Sequence, residues 1–174
     1  MTLDQTNFLL SILTVIGQVL VLVLFLTFIF RTKINDRITK YINNNALAFA
    51  FIVSLVATLG SLYYSEIANF KPCTLCWYQR ILMYPQVIIL GLALLKKESK
   101  IIDYSLALSI IGFFVSVYHN YIYYMATTSG LCGLESCTQK YITGFGYVTI
   151  PIMAISGFLL IGVLLLIRRN LHDK

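Results

Sequence analysis

From Phe8 to Phe30 the chain carries no charged side chain. That run is longer than the roughly 20 apolar residues that cross about 30 Å of hydrocarbon as an α-helix. Four more apolar runs follow, at about Ala46–Tyr64, Trp77–Leu95, Tyr104–Tyr124 and Val148–Ile167. Inside a bilayer every backbone polar group must find its partner within the protein, and runs of this length read as spanning helices. Composition agrees, with 59% hydrophobic and 11% charged residues and a mean hydropathy of +0.82. Soluble domains hold roughly half apolar and a quarter charged residues. The first run is expected to be a retained span and not a secretory leader. It is too long, Asp4 precedes it without any Lys or Arg, and no small-residue cleavage site follows.

The placement of charge predicts orientation. Of 13 Lys and Arg, all but Lys71, Arg80 and Lys140 fall after the first run, after the third, or in the tail. The positive-inside rule then puts the N-terminus outside and the C-terminus in the cytoplasm. Tyr63, Tyr64, Trp77, Tyr78, Tyr123 and Tyr124 gather at the outer ends, as interfacial aromatics do. The aromatic, glycine-rich Tyr141–Tyr147 segment is expected to lie along the outer surface. The net charge of +6 is therefore a topological signal. No basic stripe with interleaved aromatics accompanies it, which excludes a nucleic-acid partner.

On this topology the four cysteines, paired as Cys73/Cys76 and Cys132/Cys137, share the outer side, where disulfides persist. The third helix is expected to start at or just after Cys76. The unpaired N–H groups of a helix N-terminus lower a thiol's pKa. Cys73, Cys76 and Arg80, at i, i+3 and i+7, fall on one helical face. Two dithiols on one side of a membrane can pass a disulfide between them by thiolate attack on sulfur. Structural bridges, or a zinc site built from both pairs, stay open beside that reading. Arg80 either snorkels to outer headgroups or stabilises negative charge next to Cys76, on a thiolate or a reduced cofactor. His119, with Asn120 beside it, is either an interhelical hydrogen-bonding residue or part of the redox site. Gln18 reads as an interhelical contact, Glu66 and Glu135 as solvated loop charges, and Pro85 as a kink site. Electrons entering at the cysteines need an acceptor. No Rossmann glycine pattern and no Cys-x-x-Cys-His haem motif is present, so a lipid-soluble quinone fits by elimination.

The stretch Pro72-Cys73-Thr74-Leu75-Cys76-Trp77-Tyr78-Gln79-Arg80 resembles the signature of the DsbB family of disulfide-generating membrane oxidoreductases. Gly60–Ile67 and Arg80–Pro85 resemble its BdbC branch from Gram-positive bacteria. The similarity covers roughly Ala46–Ile167, with Cys132, Cys137 and Thr149-Ile150-Pro151 in matching order.

The resemblance implies an all-α integral membrane protein: a four-helix transmembrane bundle of DsbB type over residues 46–174. Residues 1–45 would be an extra N-terminal transmembrane helix with a basic cytoplasmic connection. It implies a bacterial cell-membrane enzyme that reoxidises an extracytoplasmic thioredoxin-fold thiol oxidase, of DsbA or BdbD type, at its outer face. Electrons would pass to menaquinone or ubiquinone, supporting disulfide formation in exported proteins. By position, Cys73 and Cys76 match the quinone-side pair, with Cys76 facing quinone and Arg80 at its head group. Cys132 matches the cysteine that forms the mixed disulfide with the partner, Cys137 its resolving mate, and His119 a helix-four histidine near the quinone. No metal is implied. Gln79 departs from the glutamate of the best-known members, which leaves an acid–base role there open. The alternatives are a vitamin K epoxide reductase-like enzyme, or a non-enzymatic bundle with structural disulfides or zinc.

Overall fold

The computed structural model describes residues 3–29, 36–96, 100–125 and 144–172. Cys132, Cys137, Glu135, Lys140 and Tyr141–Thr143 lie outside the described residues. Five helices run in order: α1 (Leu3–Ile29), α2 (Asp36–Leu62), α3 (Thr74–Lys96), α4 (Lys100–Met125) and α5 (Ile150–His172). Each contains a segment long and apolar enough to cross a membrane. No strand occurs among the described residues, where one isolated bridge joins Gly144 and Val148. The chain is the all-α membrane bundle with an additional N-terminal helix that the sequence predicts.

Helices α2 to α5 form a closed ring in which each packs on its chain neighbour and α5 returns against α2. Leu90, Phe158, Ile161 and Leu165 fill its centre. Polarity is inverted relative to a soluble protein. Ser54, Gln86, Ser105, Ser109 and Ser116 are buried, while Leu22, Ile88 and Phe114 face outward. Lipid is as apolar as leucine, so such helices associate through close packing and hydrogen bonds between them. The Gln86 Oε1 accepts from Ser105 Oγ at 3.2 Å and Ser109 Oγ at 3.1 Å, which ties α3 to α4. A Cβ at Gly112 would collide with the Phe158 ring, so α4 and α5 approach closely there. Gly112→Ala is expected to destabilise the bundle by about 1–3 kcal/mol through overpacking. The measurement is the thermal unfolding midpoint in detergent, and an unchanged midpoint would mean that the ring yields freely.

Helix α1 lies outside the ring, against α5. Gln18 makes the interhelical contact expected of it. Its Nε2 donates to Ser156 Oγ, and its Oε1 accepts from Tyr147 Oη, both at 2.9 Å. The described part of the aromatic segment, Gly144–Tyr147, also packs on α1. Ser11 sits where a Gly144 Cβ would be, and the Phe145 and Phe8 rings are 5.8 Å apart.

Two local features shape the end of the bundle that carries Cys73. Helix α2 does not stop at Tyr64 but widens into one π-helical turn, Tyr63–Ile67, closed by Ala68 N–H donating to Tyr63 O at 3.0 Å. Such turns often mark functional sites. Asn69 then takes φ 54°, a left-handed conformation that asparagine tolerates, and the chain reverses. Phe70 is thereby stacked on the buried Tyr64, with centroids 5.7 Å apart. Glu66 stays exposed, accepting only from Ser65 Oγ, as a solvated charge should.

The second feature corrects an expectation. Helix α3 starts at Thr74, ahead of Cys76, because Cys73 acts as its cap. The Cys73 carbonyl accepts the first helical bond, from Trp77 N–H at 3.1 Å, and its Sγ accepts from Cys76 N–H at 3.2 Å. Sulfur stands where a serine or aspartate oxygen usually caps. The helix then continues through Pro85, where Ile81 O lacks its intrahelical donor.

Candidate redox site

The first two turns of α3 carry Cys76, Gln79 and Arg80, with Cys73 at the cap. The last turns of α4 bring His119 and Tyr123, and the end of α2 brings Ser61 and Tyr64. Cys73 and Cys76 are free thiols with sulfurs 2.7 Å apart. Cys73 is buried against Leu75 and Ile122. His119, also buried, places Nε2 at 3.6 Å from Cys73 Sγ and Nδ1 at 3.1 Å from Gln79 Nε2. An amide nitrogen donates, so Nδ1 accepts, and the neutral ring carries its proton on Nε2, facing the sulfur. Gln79 thus sets the tautomer of His119, a role its glutamine identity alone does not reveal.

The Cys73 thiol is pulled well below the ordinary thiol range. The hydrogen bond from the Cys76 thiol is the largest cause; burial opposes it, and His119 and the Cys76 N–H add to it. Because α3 starts at Thr74, its N-terminal N–H groups act on Cys73, where the sequence reading assigns them to Cys76.

Arg80 is held across to α2. Its Nε donates to Ser61 Oγ at 3.0 Å and its Nη2 to Ser61 O at 3.1 Å. The guanidinium also lies over the Trp77 ring, 5.3 Å from the centroid. Its Nη1 donors have no partner among the described residues.

A cavity of about 380 Å³ opens beside this cluster, within the roughly 300–1,000 Å³ typical of ligand sites. Cys76, Gln79, Arg80 and His119 line one end, and Cys73 sits behind Cys76. Tyr64 and Tyr123 line it too, and their buried hydroxyls lack a partner among the described residues. A buried donor left unpaired costs stability, so two such phenols beside a cationic side chain suit a ligand that brings acceptors. Quinone carbonyls on an apolar framework meet that description. Arg80, Tyr64 and Tyr123 are the residues that would hold such a ligand. The sequence marks both tyrosines only as interfacial aromatics. Their burial depends on the π-helical turn and on neighbouring helices, which no local pattern announces. The donor atoms of Cys73, Cys76 and His119 also lie within 4.8 Å of one another, a ligand set distinct from a zinc site made of both cysteine pairs.

A membrane helix bundle that buries a dithiol beside a histidine, next to an arginine-lined cavity, has the architecture of a membrane thiol redox protein. The family model "Disulfide bond formation protein DsbB" matches residues 43–167. The "Probable disulfide formation protein C 1" of Bacillus anthracis is 51% identical over 121 residues, covering 68% of this chain and 87% of the relative. The "Disulfide bond formation protein C" of Bacillus subtilis strain 168 is 45% identical over 118 residues, covering 64% of this chain and 83% of the relative. The "Probable disulfide formation protein C" of Halalkalibacterium halodurans is 46% identical over 131 residues, covering 72% of this chain and 96% of the relative. No solved structure matches the chain significantly. The chain belongs to the DsbB family, in its BdbC branch.

Proposed function

We propose that this protein reoxidises an extracytoplasmic thioredoxin-fold thiol oxidase, of DsbA or BdbD type, and passes the electrons to membrane quinone. One observation carries the proposal: Cys76 and Arg80 line the same cavity as Tyr64 and Tyr123, whose hydroxyls have no partner among the described residues. A partner thiolate attacks the Cys132–Cys137 disulfide, forming a mixed disulfide with Cys132. The partner's second thiol displaces Cys132, which releases oxidised partner and leaves Cys132 and Cys137 as thiols. That dithiol exchanges with a Cys73–Cys76 disulfide, so the two electrons now reside on Cys73 and Cys76. Quinone, when bound, supplies a two-electron, two-proton acceptor, either menaquinone or ubiquinone.

The chain's own groups prepare the pair for this. The helix cap and the His119 Nε2–H hold Cys73 as thiolate, and Gln79 holds the ring. Arg80, anchored by Ser61, keeps a positive charge at the cavity end beside Cys76, where the low-dielectric bundle makes it more effective than in water. The basic connections face the cytoplasm and all four cysteines the outside, in keeping with the placement of Lys and Arg.

The test combines purified protein, a reduced thioredoxin-fold partner and a soluble quinone. One quinone is expected to be reduced per partner disulfide formed, with no loss on adding a chelator. A reporter fused at Thr128 should report the outside. Chelator-sensitive turnover would favour a metal on Cys73, Cys76 and His119, and a cytoplasmic Thr128 would remove the exported partner from reach.

A further inference from the structure

We infer that α1 is a wall of the ligand cavity and makes this chain selective for quinones with a prenyl tail, an inference that rests on the quinone reading above. Leu10, Leu13, Thr14, Ile16, Gly17 and Leu20 all line the cavity. Their spacing keeps them on one side of α1, over about 15 Å at 1.5 Å per residue. The helix is seated so that it bridges two others. Gln18 bonds Ser156 of α5, and a Cβ at Gly17 would touch Leu160 of α5 at 3.5 Å. On the other side, a Cβ at Gly60 of α2 would meet Leu10 at 3.3 Å. Gly17 lies at ordinary contact distance from α5, and the absence of a side chain at Gly60 eases the closer approach to α2, so α1 lies over the seam between them.

The space along α1 is polar at one end and apolar along the rest. Leu10 meets α2 at Gly60, next to Ser61, the residue that anchors Arg80. Further along α1, Leu13, Ile16 and Leu20 share the lining with Ile52 and Val56 of α2. Thr14 adds no donor there, because its Oγ1 already donates to Leu10 O at 2.7 Å. A ligand with carbonyls at one end and a branched hydrocarbon at the other matches that gradient, its head at Arg80 and its tail along α1.

Helix α1 lies outside the family match at residues 43–167. The Halalkalibacterium relative is covered over 96% of its length by a match to 72% of this chain, which leaves it no room for a counterpart of α1. The wall is thus added to the bundle that the family match covers.

Binding is read without turnover through Trp77, the sole tryptophan, whose ring lies under Arg80 and whose emission a bound quinone quenches. The probes are menadione, which has no tail, and a menaquinone with a short prenyl tail, titrated into protein in lipid nanodiscs. The triple variant Leu13→Ala, Ile16→Ala, Leu20→Ala should weaken binding of the prenylated quinone roughly tenfold or more, since it removes apolar surface from the tail's path. Menadione binding should not move. Leu22→Ala with Val23→Ala, on exposed positions of α1 away from the lining, should change neither. Equal affinity of wild type and triple variant for the prenylated quinone would overturn the inference about α1 and leave the quinone reading intact. Failure of both quinones to quench wild-type Trp77 would sink the quinone reading itself. If the triple variant loses menadione as well, Ile16→Phe decides, because it fills the cavity instead of opening it. Selective loss of the prenylated quinone then supports the wall, and unchanged binding of both rejects it.

Discussion

Cys76→Ser is expected to reduce steady-state oxidation of the partner to background while sparing a single round. On the proposed relay the variant keeps a Cys132–Cys137 disulfide, which would oxidise one equivalent of partner. It cannot regenerate that disulfide, because Cys73 has lost the only sulfur within bonding reach among the described residues. Rapid mixing should therefore show a burst of one partner disulfide per protein and then nothing. Cys132→Ser or Cys137→Ser should abolish the burst as well as the turnover, since partner electrons then have no point of entry. The two classes of variant separate the readings. Sustained turnover in Cys132→Ser would mean that Cys73 and Cys76 serve the partner directly, as in a vitamin K epoxide reductase-like enzyme. A normal rate in Cys76→Ser would take Cys73 and Cys76 out of the relay.

The second large effect is expected at Arg80. On the proposed mechanism negative charge accumulates beside Cys76 during turnover, in a cavity whose walls are mostly apolar. A fixed guanidinium there should be worth about 2–4 kcal/mol, comparable to a donor in an oxyanion hole, or roughly thirty- to a thousandfold in rate. Arg80→Gln should lose that much in quinone kcat/KM and leave the partner-oxidation burst unchanged. Arg80→Lys should recover part of it, because a point charge cannot reproduce the planar fork. Ser61→Ala keeps the charge but removes the hydroxyl acceptor on Nε, so a smaller loss, about 1 kcal/mol, is expected there. Wild-type kinetics in Arg80→Gln would reduce the residue to an interfacial anchor.

How much of this is legible in the chain itself depends on the scale of the feature. The five spans follow from bilayer thickness, which demands long apolar runs wherever a helix crosses. Gln18 is legible as an interhelical contact for the same reason, since an amide inside lipid needs a partner. The start of α3 is not, because the usual capping residues are Ser, Thr, Asp and Asn, and nothing local says that the Cys73 sulfur takes that place. The consequence is chemical, as the helix N-terminus favours a thiolate on Cys73 rather than Cys76. Tyr64 and Tyr123 look the same in sequence as Tyr78 and Tyr124, yet the first two are buried and the others exposed. Only the π-helical turn and the packing of α2 and α4 distinguish them. Helix α1 is apolar on every side, so its lining face becomes visible only from the cavity it borders and the close approach of Leu10 to Gly60. The second cysteine pair lies outside the described residues, and its place in the relay rests on the chemistry of exchange and on family resemblance.

Everything else depends on Cys73 and Cys76 themselves delivering electrons to quinone. That step is tested most directly with a Cys132→Ser, Cys137→Ser double variant, whose remaining thiols are those two. The protein is fully reduced, freed of reductant, and mixed without oxygen with a limiting amount of quinone, after which thiols and reduced quinone are both counted. Two thiols should be lost for every quinone reduced, with Cys73 and Cys76 recovered as a disulfide. Quinone left oxidised while both thiols persist would contradict it.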